Sequence, residues 1–405
     1  MKLLKLLPIL ALIGSFAMLE SCDPVSVSGP DTTLTPQLPT TAFDYKGIAF
    51  PAHFGLEGQL IRKEELNNHV ATLGRVLFYD TRLSINNTIS CGSCHKQSLG
   101  FADGEKVSMG FRGAHTSRNS MSIANPAMSG QLFWDSRVSG VRNLVLEPVQ
   151  NHIEMGMEDL DLLETKLQNT SFYPALFEQA FGSPEVTSDR IAEGMSQFLR
   201  AMVSMDSRFD HEQASAFQNF TAKEELGRQL FFSERAQCSG CHGGINFGNI
   251  PNNNDLFIAT DLLVNSSGIS HEEVFSSDLA FSVNSASSEY GGEDTKGTTN
   301  IGLDLTSVDP GLGDGNFKIP SLRNIAVTGP YMHDGRFESL SEVMDFYSEG
   351  VQAHPHLDDK FRDENGHARG LNLSTLEKEA LIAFLETLTD DTFMRDEKFS
   401  DPFRR

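Results

Sequence analysis

Two five-residue segments have residue types and spacing that can do chemistry. They read Cys-Gly-Ser-Cys-His at residues 91–95 and Cys-Ser-Gly-Cys-His at residues 238–242. Two cysteines three residues apart lie about one helical turn from each other, so both sulfurs can add to the vinyl groups on one edge of a porphyrin. Because the next histidine can then reach the iron, C-x-x-C-H is typical of covalent c-type haem attachment.

A single C-x-x-C-H segment can also arise by chance or as half of a zinc site. Here both segments follow a similar approach, Leu-Gly-Arg and then Leu-Phe, at residues 73–78 and 226–231. Of the five cysteines in the sequence, only Cys22 lies outside the two motifs, so no further cysteine pair is available to a zinc site. We therefore predict two c-type haems, attached through Cys91, Cys94, Cys238 and Cys241, with His95 and His242 as the proximal iron ligands.

Helical patterns must position these motifs. Apolar residues recur at helical spacing before each motif and in three further stretches, at Ile191–Met205, Leu340–Tyr347 and Leu376–Leu388. Ser374 and Glu377 form a capping-box pattern before the last of these. Residues 249–315 are rich in small polar residues and read as a long surface excursion. The sequence predicts a mainly α fold with two tandem cytochrome c-like domains, each with one covalently bound haem.

The N-terminus predicts export. Residues 1–22 place two lysines before a short apolar run and end at Cys22, which favours a lipoprotein-type signal peptide with a lipidated cysteine. The alternative is an ordinary signal peptide with an incidental cysteine. Residues 23–55 read as a flexible tether, 56–212 as the N-terminal haem domain and 213–405 as the C-terminal haem domain. The expected location is the periplasm, with membrane contact only through the N-terminal lipid anchor.

The charge balance bears on partners. The chain has 32 basic and 55 acidic residues, which gives a formal net charge of −23. This argues against nucleic acid, whose binding requires lysine and arginine at phosphates. It favours encounter with a positively charged partner, although the acidity is equally compatible with a role in solubility alone. A homodimer is compatible with the sequence.

Several segments resemble the bacterial di-haem cytochrome c peroxidase and MauG family, from about residue 60 to the C-terminus. They are Arg118-Asn119-Ser120, Phe133-Trp134-Asp135-Ser136-Arg137, Glu154-Met155-Gly156, Pro320-Ser321-Leu322-Arg323-Asn324, and the run from Thr328 to Phe337. The resemblance implies that the N-terminal haem reacts with hydrogen peroxide. It also implies that the C-terminal haem passes electrons to it.

The resemblance assigns catalytic roles to two residues. Glu154 matches the family's catalytic glutamate, a carboxylate that can move a proton between the two peroxide oxygens as general acid and base. Trp134, which is the only tryptophan, matches the tryptophan placed between the haems to carry electrons. The alternatives without a catalytic role are a solvated surface residue for Glu154 and a large core aromatic residue for Trp134.

The resemblance also implies one calcium ion between the haem domains. Asn119, Thr328 and Pro330 match the residues that hold it, and calcium accepts amide, hydroxyl and backbone carbonyl oxygens. His333, in the Met-His-Asp-Gly turn, matches a residue of the haem pocket. It either bonds a haem propionate or caps the turn.

The distal iron ligand has two alternatives at each haem. At the first haem, His115 is the nearest candidate histidine, but Phe111 falls at the place of the classical distal ligand, so the alternative is an open haem without a distal ligand. At the second haem, Tyr347 falls at the aligned position, where the MauG branch has a tyrosine. Met344, one helical turn earlier, competes with it. The alternative role for Tyr347 is that of an aromatic residue of the core.

These observations predict a di-haem cytochrome c peroxidase. It would reduce hydrogen peroxide to water with electrons from a small carrier protein such as reduced cytochrome c. One alternative is a MauG-like oxidase that modifies side chains of a partner protein. Another is a non-enzymatic di-haem electron carrier, against which Glu154 counts because a carrier needs no acid–base group over an iron.

Overall fold

The computed structural model describes residues 34–54, 66–248, 298–299 and 317–403. The regular structure in these ranges is mostly helical, which confirms the mainly α fold. The α-helices are α1 Asn68–Tyr79, α2 Cys91–Cys94, α3 Val141–Leu144, α4 Glu147–Gln150, α5 Leu160–Gln168, α6 Tyr173–Phe181, α7 Ser188–Ala201, α8 Arg208–Gln213, α9 Ala222–Phe231, α10 Leu340–Asp345, α11 Thr375–Glu386 and α12 Asp391–Arg395.

Strands in the described ranges form only two short antiparallel pairs. Strand β1 (Gln131–Leu132) pairs with β2 (Val138–Ser139). Strand β3 (Thr298–Thr299) pairs with β4 (Phe317–Lys318), with Thr298 opposite Lys318. Short 3₁₀ turns connect several helices, and one of them, Cys238–Gly240, contains most of the second motif.

The same helix crossing occurs in both halves of the chain. Gly74 of α1 lies so close to α7 that a Cβ there would collide with the opposite backbone and with Phe198. Gly227 of α9 lies against α11 in the same way, and its Cβ would collide with the backbone and with Phe384. Both glycines belong to the Leu-Gly-Arg repeat, so the repeat in the sequence corresponds to a repeated close crossing of two helices.

The predicted helices form with shifted ends. Ser374 and Glu377 make both hydrogen bonds of the predicted capping box at the start of α11. Helix α7 begins before the predicted Ile191, where Thr187 accepts a hydrogen bond from the backbone of Arg190. Helix α10 ends at Asp345, and a π-helical turn over Phe346–Gly350 continues it.

The two larger hydrophobic cores are separated along the sequence at residues 203–208. The first core draws its buried residues from positions 45–202, and the second from positions 209–388. The first core also takes in Phe393, Phe399 and Phe403 from the C-terminal end of the chain. The last described residues therefore pack against the N-terminal half, although the predicted C-terminal domain runs to residue 405.

Residues 34–54 differ from the predicted flexible tether because they pack against the body. Tyr45 is buried in the first core, and its hydroxyl donates to the Lys398 carbonyl at 2.7 Å. Phe54 is fully buried. His53 Nε2 lies 3.0 Å from Asp210 Oδ1 in α8, and Asp210 also accepts from Arg323.

The pKa of Asp210 reflects this burial and these partners. Burial works against the charge of Asp210, but Arg323, His53 and Ser207 outweigh it and hold its pKa well below the usual range. The ionised carboxylate therefore joins the packed segment at His53 to both halves of the chain. A buried ion pair of this kind is strongly destabilised when one partner is removed.

Some predictions lie outside the described residues. The signal peptide at 1–22, residues 23–33 of the tether, and all of the surface excursion at 249–315 except Thr298–Thr299 belong to this group. Within the described ranges, no helix is both long enough and apolar enough to cross a bilayer.

Candidate functional site

Each C-x-x-C-H motif forms one tight helical turn with its histidine at the end. In the first motif, Ser90 and Ser93 cap the turn Cys91–Cys94, and His95 follows as the C-cap. In the second, the turn Cys238–Gly240 places the backbone N–H of His242 within 2.8 Å of the Cys238 carbonyl. None of the four motif cysteines forms a disulfide. Both motifs therefore present two thiols and an imidazole from one short turn.

Backbone carbonyls orient the two motif histidines. His95 Nδ1 lies 2.9 Å from the Phe101 carbonyl, and His242 Nδ1 lies 3.2 Å from the carbonyls of Phe247 and Pro320. Since these carbonyls accept a hydrogen bond from Nδ1–H, each ring keeps the Nε2 lone pair for a metal, the usual arrangement of a ligating histidine.

Burial keeps both imidazoles neutral. It lowers the pKa of His95 below its usual range and that of His242 to about 4, against the opposing hydrogen bonds to backbone carbonyls. A neutral imidazole is the form that binds metal. The two rings are therefore in the right protonation state at neutral pH.

One continuous cavity of about 860 Å³ joins the two motifs. Both cysteine pairs and both motif histidines line it, and most of the other lining side chains are apolar. A mostly apolar cavity with a few convergent polar groups is typical of a cofactor site. The thiols, the available Nε2 atoms and the apolar walls together fit two covalently held porphyrins.

A tight turn positions Glu154 at this cavity. Asn151 Oδ1 accepts from the backbone N–H groups of Ile153 and Glu154, at 2.8 and 3.3 Å. The Glu154 carbonyl accepts from Phe111 N at 3.0 Å. Gly156 has φ +66°, and a Cβ there would collide with the Phe111 ring. The glutamate therefore sits on a turn held from both sides.

Burial changes the acidity of Glu154. It raises the pKa of the carboxyl to about 6, against an opposing attraction from Arg137. Among the described residues, none forms a hydrogen bond to its carboxylate. A carboxyl group with a pKa near neutrality and free lone pairs is suited to accept and return a proton.

Trp134 lines the cavity that the two motifs share. Its indole Nε1 donates to the Asn119 carbonyl at 2.9 Å, and its own carbonyl accepts from Lys318 N at 2.7 Å. Asn119 precedes Ser120, whose hydroxyl lies 3.3 Å from the Cys94 carbonyl in the first motif. The indole is half-buried and lines the cavity.

The three predicted calcium residues line the same cavity. Asn119 Nδ2 donates to the Glu105 and Lys106 carbonyls, which leaves its Oδ1 as the free side-chain acceptor. Thr328 and Pro330 flank a cis Gly329–Pro330 bond nearby. Within the described ranges, no group of three or more His, Cys, Asp or Glu side chains is placed to hold a metal. Calcium here would use amide, hydroxyl and carbonyl oxygens.

Both candidate distal residues of the second motif line the cavity. Tyr347 lies in the π-helical turn, with its ring stacked on Phe361 at 5.8 Å. Burial and the nearby thiols of Cys241 and Cys238 raise its pKa well above the usual range. Its hydroxyl has no hydrogen bond to another described residue. Met344 is buried one turn earlier and also lines the cavity.

His115 does not reach the cavity. It is exposed, and its backbone pairs with that of Met109 in an isolated bridge. Phe111, at the aligned place of the classical ligand, packs on Gly156 and is also absent from the cavity lining. This position argues against His115 as a distal ligand in the described conformation, because the side chain would have to move with its loop to reach an iron.

His333 links the two halves beside the cavity. Its ring stacks on Phe317 with centroids 3.9 Å apart, and its carbonyl accepts from Asn119 N at 2.8 Å. Two residues of the site, Asn151 and Lys318, were not predicted from the sequence. An asparagine three residues before Glu154 is a recognisable cap for a turn. No local signal marks Lys318 as buried.

Relatives of known class share this architecture. A family model described as di-haem cytochrome c peroxidase matches residues 68–216. The cytochrome-c peroxidase IdrP1 of Denitromonas iodatirespirans is 31% identical over 327 residues, which cover 78% of this chain and 80% of the relative. The chain belongs to the di-haem cytochrome c peroxidase and MauG family. Members of this family are oxidoreductases that act on peroxide, and they contain two haems.

Other relatives fall on the MauG side of the family. The methylamine utilization protein MauG of Paracoccus denitrificans is 30% identical over 371 residues, with 79% of this chain and 88% of the relative covered. The solved structure of a MauG-like protein associated with microbial copper homeostasis is 31% identical, with a TM-score of 0.66. It covers 90% of this chain and 99% of that one. The diheme peroxidase BthA of Burkholderia thailandensis, at 19% identity and TM-score 0.62, shares the fold.

Proposed function

We propose that the chain reduces hydrogen peroxide at a haem held by Cys91, Cys94 and His95, with Glu154 as the proton-transfer group. The observation that carries this proposal is a carboxyl group with a pKa of about 6 at the cavity lined by the first motif. Each peroxide takes up two electrons and two protons and gives two water molecules. A haem iron supplies the site at which the oxygen–oxygen bond breaks.

Glu154 handles the protons in this proposal. Its carboxylate accepts the proton of the inner peroxide oxygen and returns it to the outer oxygen, which leaves as water. The Asn151 turn and the contact with Phe111 N fix the backbone of Glu154, so its carboxylate stays aimed at the cavity. Proton transfer of this kind needs a group held within hydrogen-bond reach of the reacting atom.

Electrons enter at the second haem, held by Cys238, Cys241 and His242, and cross by way of Trp134. The contacts of Trp134 with Asn119 on one side and Lys318 on the other support this path. The donor is a small reduced carrier such as cytochrome c. The two halves, divided near residue 212, then act as tandem cytochrome c-like domains with separate tasks.

A calcium ion at Asn119, Thr328 and Pro330 completes this proposal, and it is supported by the position of all three residues in the cavity lining. Metal analysis of the purified protein before and after chelation tests it. We also place the protein in the periplasm, anchored by a lipid on Cys22. Mass spectrometry of the mature N-terminus distinguishes that anchor from a cleaved soluble form.

Replacement of Glu154 by glutamine tests the catalytic assignment. Glu154→Gln keeps the shape of the side chain but removes its titration, so we expect peroxide turnover with reduced cytochrome c to fall by about 10²–10⁴-fold. Haem content should not change. The matched control is Glu158→Gln, an exposed residue outside the cavity lining, which should turn over normally. Full turnover in Glu154→Gln would remove Glu154 from the mechanism.

A MauG-like oxidase of partner side chains is the second candidate, favoured by Tyr347. A tyrosinate ligand stabilises higher oxidation states of iron than a thioether does. The raised pKa keeps the phenol protonated without a metal, and a bound cation reverses that preference. In a MauG-like oxidase, a haem at the second motif would store part of the oxidising equivalents.

Spectroscopy of Tyr347→Met tests this ligand. We expect the absorption and electron paramagnetic resonance spectra of one haem to change to those of a thioether-ligated iron. Tyr331→Phe is the control, since Tyr331 also lines the cavity but its hydroxyl already donates to the Ile325 carbonyl at 3.0 Å. An unchanged spectrum in Tyr347→Met, with a changed one in Met344→Leu, would assign the position to Met344 instead.

A further inference from the structure

Lys318 is a buried lysine that none of these roles uses. It lies in β4, with only 8% of its surface exposed, and it lines the cavity. Its backbone N–H donates to the Trp134 carbonyl at 2.7 Å. A lysine is almost never buried unless its charge is paired. Its position beside the electron path therefore calls for a partner.

The other cations of the cavity have partners, and Lys318 differs from them. Arg118 and Arg137 lie 3.5 and 2.9 Å from carboxylate oxygens of Asp135. Lys360 Nζ lies 3.4 Å from the Gly240 carbonyl. Among the described residues, no carboxylate or carbonyl accepts from Lys318 Nζ. Burial is the one cause that lowers the pKa of Lys318, to about 8, so it is still charged at neutral pH.

Lys318 lies close in the chain to a residue that contacts the second motif. Two residues further along, beyond the end of β4, the Pro320 carbonyl accepts from His242 Nδ1 at 3.2 Å. The pKa of His242 is lowered mainly by burial, and the positive charge of Lys318 adds to that effect. An unpaired ammonium in an apolar cavity is strongly unfavourable. Since no described residue pairs with it, a bound anionic group in the cavity would remove this cost.

We propose that Lys318 is the counter-ion of a propionate carboxylate of the haem at Cys238, Cys241 and His242, and that its charge raises the reduction potential of that haem. The inference rests on the proposed function only in requiring a haem at the second motif. A positive charge near the iron favours the state that has gained an electron, by Coulomb attraction. Lys318 is then a positioning residue for electron entry, since it contacts the propionate and not the peroxide.

Potentiometric titration of haem-loaded Lys318→Gln tests this role. We expect the equilibrium constant for one-electron reduction of the second haem to fall by about tenfold or more, which is about 59 mV for a one-electron couple. Lys318→Arg keeps the charge and should keep the potential of that haem. The first haem should shift less, because Pro320, two residues from Lys318, contacts His242 of the second motif.

Lys166→Gln is the matched control. Burial also lowers the pKa of Lys166 to about 8, but this lysine donates to the Ser84 carbonyl at 2.7 Å and lies outside the cavity lining. Its replacement should leave both potentials unchanged. Equal potentials in Lys318→Gln and the wild type, with two haems bound in each, would overturn the inference.

A second measurement does not depend on a variant that folds. A crystal structure of the wild-type protein with its haems should show Lys318 Nζ within about 4 Å of a propionate oxygen, the usual reach of an ion pair. An ammonium paired with a protein carboxylate instead would overturn the inference. A haem assay that finds no covalent haem at Cys238 and Cys241 would contradict the proposed function itself, which is a different result.

Discussion

Glu154 illustrates how one position sets the chemistry of a carboxyl group. On an exposed turn its pKa would be ordinary, but here the surrounding cavity penalises the charged form. Asn151 holds the backbone of the turn and does not touch the carboxylate, so the acidity and the orientation have separate causes. Either can be changed without the other.

The pKa of Glu154 predicts a pH dependence of peroxide reduction. A carboxyl group accepts a proton only when it is ionised, and its raised pKa of about 6 means that it is protonated below that pH. We expect kcat/KM for peroxide to fall about tenfold per pH unit below roughly pH 6. In Glu154→Gln this acidic limb should disappear. The same limb in the variant would mean that another group titrates.

At the scale of single residues, the features that could be predicted from the sequence are those that depend only on neighbouring residues. The two C-x-x-C-H motifs fix both the thiols and the imidazoles within five residues, and the structure has each turn at the cavity. The two alternatives for His115 could not be separated from the sequence, because sequence does not show which way a loop faces. Lys318 could not be predicted because its contact is long-range, from its backbone N–H to the carbonyl of Trp134, which lies 184 positions earlier in the chain.

At the scale of secondary-structure elements, one close helix crossing supports each half of the cavity. Each crossing brings a helix that leads into a motif against a helix from much later in the same half. The glycines of the Leu-Gly-Arg repeat permit the approach, so the repeat concerns helix packing and not haem chemistry directly. Arg75 of the same repeat is buried and donates to the Ser400 carbonyl at 2.6 Å.

The two glycines at the first crossing should differ in how much stability their replacement by alanine costs. Gly74→Ala puts a methyl group into the backbone of α7 and should lower the free energy of unfolding by about 1–3 kcal/mol or more. Gly194→Ala, on the facing helix, meets its nearest atoms at 3.5 Å and should be neutral or slightly stabilising. Thermal and urea unfolding measure both. Equal losses in the two variants would contradict the close-approach explanation.

Helix ends show where pattern reading is strong and where it stops. The capping box at Ser374 and Glu377 was predictable because both partners lie within four residues. The π-helical turn at Phe346–Gly350 was not, since apolar spacing does not distinguish it from an α-helical continuation of α10. π-helical turns often occur at functional sites, and this one contains Tyr347.

At the scale of the whole molecule, charge governs encounter. A formal net charge of −23 gives the surface a negative field that attracts cationic carriers over about 10 Å at moderate salt. The field acts on the rate of association and does not act on the fold. Charge was fully readable from composition, but the residues that present it to a donor were not.

Salt should therefore separate donor classes. With a basic cytochrome c as donor, we expect kcat/KM to fall by about tenfold or more as salt rises from about 10 mM to 500 mM. With an acidic carrier the rate should be low at first and rise with salt, because screening removes the repulsion. Steady-state assays across ionic strength measure both. A salt-independent rate with the basic donor would leave solubility as the role of the acidity.

The C-terminal residues in the first core have a consequence for the order of assembly. Phe393, Phe399 and Phe403 complete a core that otherwise consists of residues 45–202. Contacts between residues so far apart in the sequence form late in folding, because a long loop must be closed first. The half that contains the Cys91 turn is therefore completed only when these three side chains pack. Deletion from the C-terminal end should consequently damage the N-terminal haem site first.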